Sequence, residues 1–282
     1  SQKLNTQMRI KISFKVEKLP ILYRHRIMSL IKESLKQSDP EYKNSLYPDK
    51  KSEYLKKVKP FTFSVFIPPG CERKKERFLV DENIEVEDIV FYFPQNLSLS
   101  LFISSCDYQF IIDLYNGLLQ IKQYTFDPLN SINMTFERVF LLNERKINTE
   151  QVIFKTNSPI LIEDEKSSPL LPPPLREKPD LLEFNGHFNA IHNKILQDLR
   201  EKDGEKGPGL YQTLEFEPLN IRKQVVKHTL KGFREKTSKP YMVLTTFSGC
   251  FKLKGDPRDL QLLYQSGIGL RTGQGFGMVE VV

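Results

Sequence analysis

Twice along the chain a period-two alternation of apolar and polar residues gives way to a helical stripe in the order β-α-β-β-α-β, and this repetition constrains the fold more than any single motif. In the first round, Arg9–Val16 alternates Ile10, Ile12, Phe14 and Val16 against Arg9, Lys11, Ser13 and Lys15. That predicts a half-buried strand with a basic outer face. Residues 21–37 read as a helix: Ile27, Met28, Leu30, Ile31 and Leu35 share a stripe at about 100° per residue, opposite His25, Ser29, Lys32 and Lys36. Residues 38–59 form a polar connection carrying Tyr42, Tyr47 and Tyr54 among lysines, of a length that marks a functional or mobile segment. Strands follow at 61–67, 89–93 and 97–103, with 72–77 read as a solvated turn. Ser104 or Ser105 can cap a helix over 107–121, and 132–142 closes the round as a strand.

The second round places strands at 152–162, 211–219, 221–232 and 241–253, with a helix over 181–200. Asp256-Pro257 is an N-cap followed by proline at N1, opening a helix through Gln265. The expected class is α+β, with tandem ferredoxin-like (RRM-like) domains over 8–143 and 148–282.

Five of the 14 glycines, Gly267, Gly269, Gly273, Gly275 and Gly277, crowd into one late window around Arg271. A nucleotide-binding glycine loop sits between a strand and a helix whose N-terminus faces the phosphates. Here the window leads into a short strand instead. A backbone-lined loop with Arg271 at its tip can track an extended polyanion, and the excess of 42 Lys+Arg over 35 Asp+Glu agrees with such a partner. Equally, a net charge of +7 is compatible with an ordinary solvated cationic surface.

Familiar chemistry is scarce. The cysteines, Cys71, Cys106 and Cys250, lack metal-site or disulfide-framework spacing. No Walker, G-x-S-x-G or H-E-x-x-H motif occurs, so no metal or cofactor is expected. His187 and His192 are about 140° apart on one helix and do not share a metal face. Arg222, Lys223, Lys227 and Lys231 make a basic ribbon around His228, fit either to neutralise phosphates or to guard an exposed edge strand. No apolar run of about 18 residues exists and the start lacks a signal-peptide pattern, so a cytoplasmic protein is expected, with Ser1 to Gln7 polar and Met8 a natural start.

The stretch 249–257, then Leu260, Leu263 and the glycine window through Val279, resembles the C-terminal signature of the CRISPR precursor-RNA-processing endoribonucleases of the RAMP superfamily. The front of the chain agrees, from the Met8 strand through Leu22-Tyr23-Arg24-His25 to Pro60-Phe61-Thr62-Phe63-Ser64. The resemblance implies tandem ferredoxin-like domains, a CRISPR repeat RNA as partner, and a single metal-independent cut. In that cut the ribose 2′-OH attacks the adjacent phosphate, leaving a 2′,3′-cyclic phosphate and a 5′-OH. A CRISPR effector complex is a further partner the resemblance allows, with the chain a monomer or homodimer.

Many members of the family use a histidine just after the first helix. Residues 38–59 contain none, and Tyr47 stands about where it would fall. Three readings stay open. Tyr47, with Tyr54 and Lys50, Lys51 or Lys56, holds the phosphate; or His25, beside Lys32 and Lys36, transfers protons; or the protein binds repeat RNA, alone or as an effector subunit, without cutting it. RNA contacts are expected at Lys32, Lys36, Arg222, Lys223, Lys227, Lys231, Arg271 and the five glycines. A small-molecule sensor on the same scaffold is the remaining alternative.

Overall fold

A computed structural model of the protein describes residues 8–48 and 57–282. The first half comprises β1 (Arg9–Val16), β2 (Lys18–Pro20), α1 (Arg24–Ser38), α2 (Pro40–Leu46), β3 (Phe61–Phe66), β4 (Glu72–Asp81), β5 (Ile84–Tyr92), β6 (Leu99–Ser105), α3 (Tyr108–Ile121), β7 (Gln123–Asp127) and β8 (Ile132–Leu141). The second comprises β9 (Gln151–Thr156), α4 (Leu181–Leu199), β10 (Glu215–His228), α5 (Lys231–Thr237), β11 (Met242–Lys254), α6 (Pro257–Ser266) and β12 (Val279–Val281).

The two main sheets are antiparallel and run β3-β6-β1-β8-β7 and β10-β11-β9-β12. Without the extra edge strand β7, both follow one plan: the first strand is central, flanked by the third and the last. Each half is a ferredoxin-like fold, as the repeated order predicts. In the first, the α1 stripe of Ile27, Leu30, Ile31 and Leu35 is buried together with Phe110, Leu114 and Leu118 of α3. The two helices meet so closely that a Cβ on Gly117 would lie 1.8 Å from the Ser34 carbonyl oxygen.

Several local expectations change. Residues 72–77 are the start of β4, not a turn. Their side chains lack apolar alternation because this end of the hairpin is exposed at nearly every position, with charges facing across it, Lys75 to Glu87 at 3.9 Å and Arg77 to Glu85 at 3.7 Å. The strands expected at 211–219 and 221–232 are one strand, β10, kinked by a register shift between Pro218 and Asn220, where proline has no amide for the ladder. Its expected last residues instead open α5, and the cap of α3 is Asp107, which accepts from the Gln109 amide at 3.0 Å.

The halves are joined through buried polar contacts. Arg9, expected on an outer face, is only 4% exposed, because the second half covers it. Its guanidinium donates to the Val279 carbonyl at 2.6 Å and the Tyr264 carbonyl at 3.2 Å. Thr62 and Ser64 of β3 donate to the carbonyls of Phe276 and Asn157, each at 2.7 Å. A separate sheet of β2, β5 and β4 reaches α5 and β10 through Asp81 to Arg234 at 3.0 Å and Asp88 to Lys227 at 2.5 Å. No described helix is long and apolar enough to cross a membrane.

Candidate nucleic-acid site

The glycine window follows α6 directly and runs along β3 of the other half. All five of its glycines are buried. Gly275 has φ +93°, and a Cβ there would lie 2.6 Å from the Phe63 ring; one on Gly273 would lie 2.6 Å from the Lys59 side chain. The glycines therefore let the loop pack against the first half. What the loop offers outward is Leu270, Arg271 and Gln274, the residues of 267–277 that keep solvent exposure.

Arg271 holds the left-handed conformation at φ +57°, uncommon for a residue with a side chain. Its Nη1 donates to Gln274 Oε1 at 3.0 Å, and the same oxygen lies 2.9 Å from His228 Nε2. An amide oxygen only accepts, so Nε2 carries the His228 proton. Burial pushes the His228 pKa down to about 4, which keeps that ring neutral.

In front of the loop lies a cavity of about 690 Å³ whose walls include Lys32 of α1, Tyr47 at the end of α2, Lys57, Lys59, Glu163 and Arg271. Tyr47 caps α2 through its own amide, 3.0 Å from the Lys43 carbonyl. Its ring has Lys32 Nζ at 4.8 Å and Lys59 Nζ at 4.5 Å from the centroid. Lys59 also donates to the Leu46 carbonyl at 2.5 Å. Burial, with Lys32 and Lys57 adding like charge, pushes the Lys59 pKa down to about 8. The cavity thus has cations from both halves in its walls, two of them over one aromatic ring, a combination that suits a phosphodiester and its base.

The predicted residues distribute unevenly. Tyr47, Lys32 and Arg271 meet in the cavity. The Tyr47 hydroxyl is buried with no hydrogen-bond partner among the described residues, and burial raises its pKa above the ordinary phenol value. It cannot serve as a base at neutral pH. His25 does not lie on an open face with Lys32: both its ring nitrogens are buried, without partners among the described residues. Burial first, then Arg26, Arg234 and His228, pushes its pKa down to about 3, and it does not line the cavity. Lys36 is exposed one turn beyond Lys32, outside the cavity. Lys50, Lys51 and Lys56, with Tyr54, lie outside the described residues.

The basic ribbon is less available than its sequence implies. Lys227 is paired with Asp88, and Lys231 lies on α5 at 3.8 Å from Glu235. Arg222 donates to Ser248 Oγ at 3.2 Å and, with Arg24, lines a smaller pocket of about 220 Å³; Lys223 is exposed. Several cavity residues, Lys57, Lys59 and Glu163 among them, are not site candidates in the sequence. Lys59 is one lysine among many, distinguishable only by its place before the Pro60-Phe61 strand start. Glu163 follows the strand material of the second round and carries no sequence signal.

Residues 142–281 match the family model for the C-terminal part of CRISPR associated protein Cas6. No curated protein matches the chain in sequence. Among solved structures, the protein of a Cas6-related gene from Pyrococcus furiosus superposes with a TM-score of 0.64 at 18% identity, over 98% of each chain. A RAMP protein described as binding different RNA substrates gives 0.65 at 18% identity, over 98% of this chain and 99% of that one. A Cas6 described as a product complex gives 0.58 at 15%, over 98% and 100%. At these identities the likeness is one of fold. With that fold along almost its whole length and the family signature over its second half, the chain belongs to the Cas6 family of CRISPR-associated proteins.

Proposed function

We propose that this protein binds CRISPR repeat RNA and cuts the precursor transcript once per repeat without a metal ion. The observation that carries the reading is the cavity at the junction of the two halves, lined by Arg271 of the second and by Lys32 and Lys59 of the first, whose ammonium groups lie over the Tyr47 ring. A scissile phosphate held there is met by cations on several sides, and the phosphorane gains more from them than the ground state does as its charge grows. The Tyr47 ring is the apolar floor that keeps the lysine ammonium groups in place and offers a face to a base. Attack by the neighbouring 2′-OH expels the 5′-oxygen and leaves a 2′,3′-cyclic phosphate. RNA-bound relatives support the partner: one solved RAMP protein is described as binding RNA and one Cas6 as a product complex.

One observation favours a second reading, a repeat binder that does not cut: none of the four histidines is among the described residues of the cavity. A single experiment separates the two. End-labelled repeat RNA is incubated with excess protein in EDTA, alongside RNA carrying a 2′-deoxyribose at the cut position. The proposal expects one cut, a 5′-OH and cyclic phosphate, and no cut of the deoxy substrate. Tight binding without cleavage supports the second reading, and a metal requirement or a 3′-OH product contradicts the mechanism.

A further inference from the structure

On the RNA-cutting reading, and only on it, the cavity must contain a group that takes the 2′-OH proton and another that protonates the departing 5′-oxygen. The usual candidate for both, a histidine, is not there. His192 is buried behind the loop, accepting from the Gly269 amide, and His228 is committed to Gln274. His25 faces the contact between the halves, and the Tyr47 hydroxyl is buried. What the described walls do contain is a single carboxylate, Glu163, in a cavity also lined by Lys32, Lys57, Lys59 and Arg271.

Backbone pairing fixes where that carboxylate stands. The Leu270 amide donates to the Leu161 carbonyl at 2.9 Å, and the Leu170 amide donates to the Ile162 carbonyl at 2.8 Å, with Glu163 bridged to Pro169 just beyond. Glu163 and Arg271 therefore rise from neighbouring, mutually bonded backbone on the same wall. Backbone pairing on both sides thus holds the Glu163 position. The Lys59 stem is packed against Gly273 of the same window and its ammonium donates to the end of α2.

We propose that Glu163 is the general base and Lys59 the general acid of the cleavage. The Glu163 carboxylate accepts the 2′-OH proton as the 2′-oxygen bonds to phosphorus. The bond from phosphorus to the 5′-oxygen breaks, and that oxygen takes a proton from the Lys59 ammonium. Arg271 and Lys32 neutralise the phosphorane between these steps, and solvent returns the proton from Glu163 to Lys59. The groups against Lys59 are Lys32 from α1, Lys57 beside it in the chain and the Tyr47 ring, while Arg271 and Glu163 of the second half line the same cavity. Because burial and the like charges leave Lys59 with a pKa of about 8, it holds its proton near neutrality yet releases it more readily than an ordinary lysine.

The test is single-turnover cleavage of labelled repeat RNA by excess protein between about pH 6 and 9, with the dissociation constant measured in parallel. Glu163→Gln is expected to slow cleavage roughly 100-fold while RNA affinity stays within about threefold, and Glu163→Asp to recover part of the rate. In the wild type the rate falls above about pH 8 as Lys59 loses its proton, and Lys59→Arg lowers the rate and removes that fall. Wild-type cleavage with Glu163→Gln within about threefold of it at every pH overturns the base assignment and leaves RNA processing standing. Failure of the wild type to cut overturns both. Equal losses of affinity and rate in Glu163→Gln, or an unfolded protein by circular dichroism with Glu163→Asp also inactive, assigns the residue to structure and overturns the proposal.

Discussion

The backbone amide of Gly269 donates a 2.9 Å hydrogen bond to Nε2 of His192 on α4. This fixes the tautomer: Nδ1 carries the proton and donates to the Phe188 carbonyl at 2.7 Å. The glycine window is thus fastened from behind by a fully buried neutral imidazole, as its tip is by His228 through Gln274.

Protonation at Nε2 breaks the His192 fastening, and a charge on His228 is opposed by burial although its bond to Gln274 survives, so both rings give the fold a pH dependence. Burial lowers the pKa of His192 and of His228 to about 4, against 6.5 in the unfolded chain. As pH falls below about 6.5 the unfolded chain takes up protons that the folded chain refuses until about pH 4. Stability is therefore full above that window and falls within it, by up to about 3 kcal/mol per pH unit for the two groups together. Urea unfolding followed by circular dichroism at several pH values reads the slope; a flat profile from neutral to pH 5 would contradict the burial of these rings.

Gly275 and Gly186 make opposite predictions for the same substitution. Gly275→Ala adds a methyl at φ +93° and 2.6 Å from the Phe63 ring, and is expected to destabilise by about 1–3 kcal/mol. Gly186 lies within α4 with nothing within 4 Å of an added Cβ, so Gly186→Ala is expected to stabilise by about 0.5–1 kcal/mol. Thermal melts of the two variants check both signs.

The ribbon is expected to contribute unequally to RNA binding. Lys223 is exposed, whereas Lys227 is held by Asp88 and raised in pKa by that bond. Lys223→Ala should reduce the slope of log affinity against log salt by roughly 0.7, and Lys227→Ala by clearly less. Fluorescence anisotropy over a salt series distinguishes them; equal reductions would mean that Lys227 leaves Asp88 when RNA binds.

Most of the fold is legible in the chain because it is written in periodicity: β1, α1, α3, α4 and α6 all follow from apolar stripes and caps. β4 is not, since the exposed, charged end of a hairpin leaves no alternation to read. The site is legible only in part. Tyr47, Lys32 and Arg271 stand out by position or motif, but Arg9 and His25 look like surface residues until a second half covers them. The five glycines show the same limit. Their spacing points to the loop, while only packing against Phe63 and Lys59 shows that they serve the junction and leave Arg271 to face the cavity. Glu163 enters the site through the backbone pairing of residues 161 and 270, which is invisible in sequence.

The central claim is that RNA is cut in the cavity between α1 and the glycine window. Its most direct test is the single-turnover rate constant of Arg271→Met on repeat RNA at saturating protein, set beside Lys223→Met on the exposed ribbon. Cleavage in the cavity predicts a loss of roughly 10- to 1,000-fold in rate for Arg271→Met that added protein does not restore, and an unchanged saturated rate for Lys223→Met. An Arg271→Met protein that cuts at the wild-type rate once saturated would contradict it.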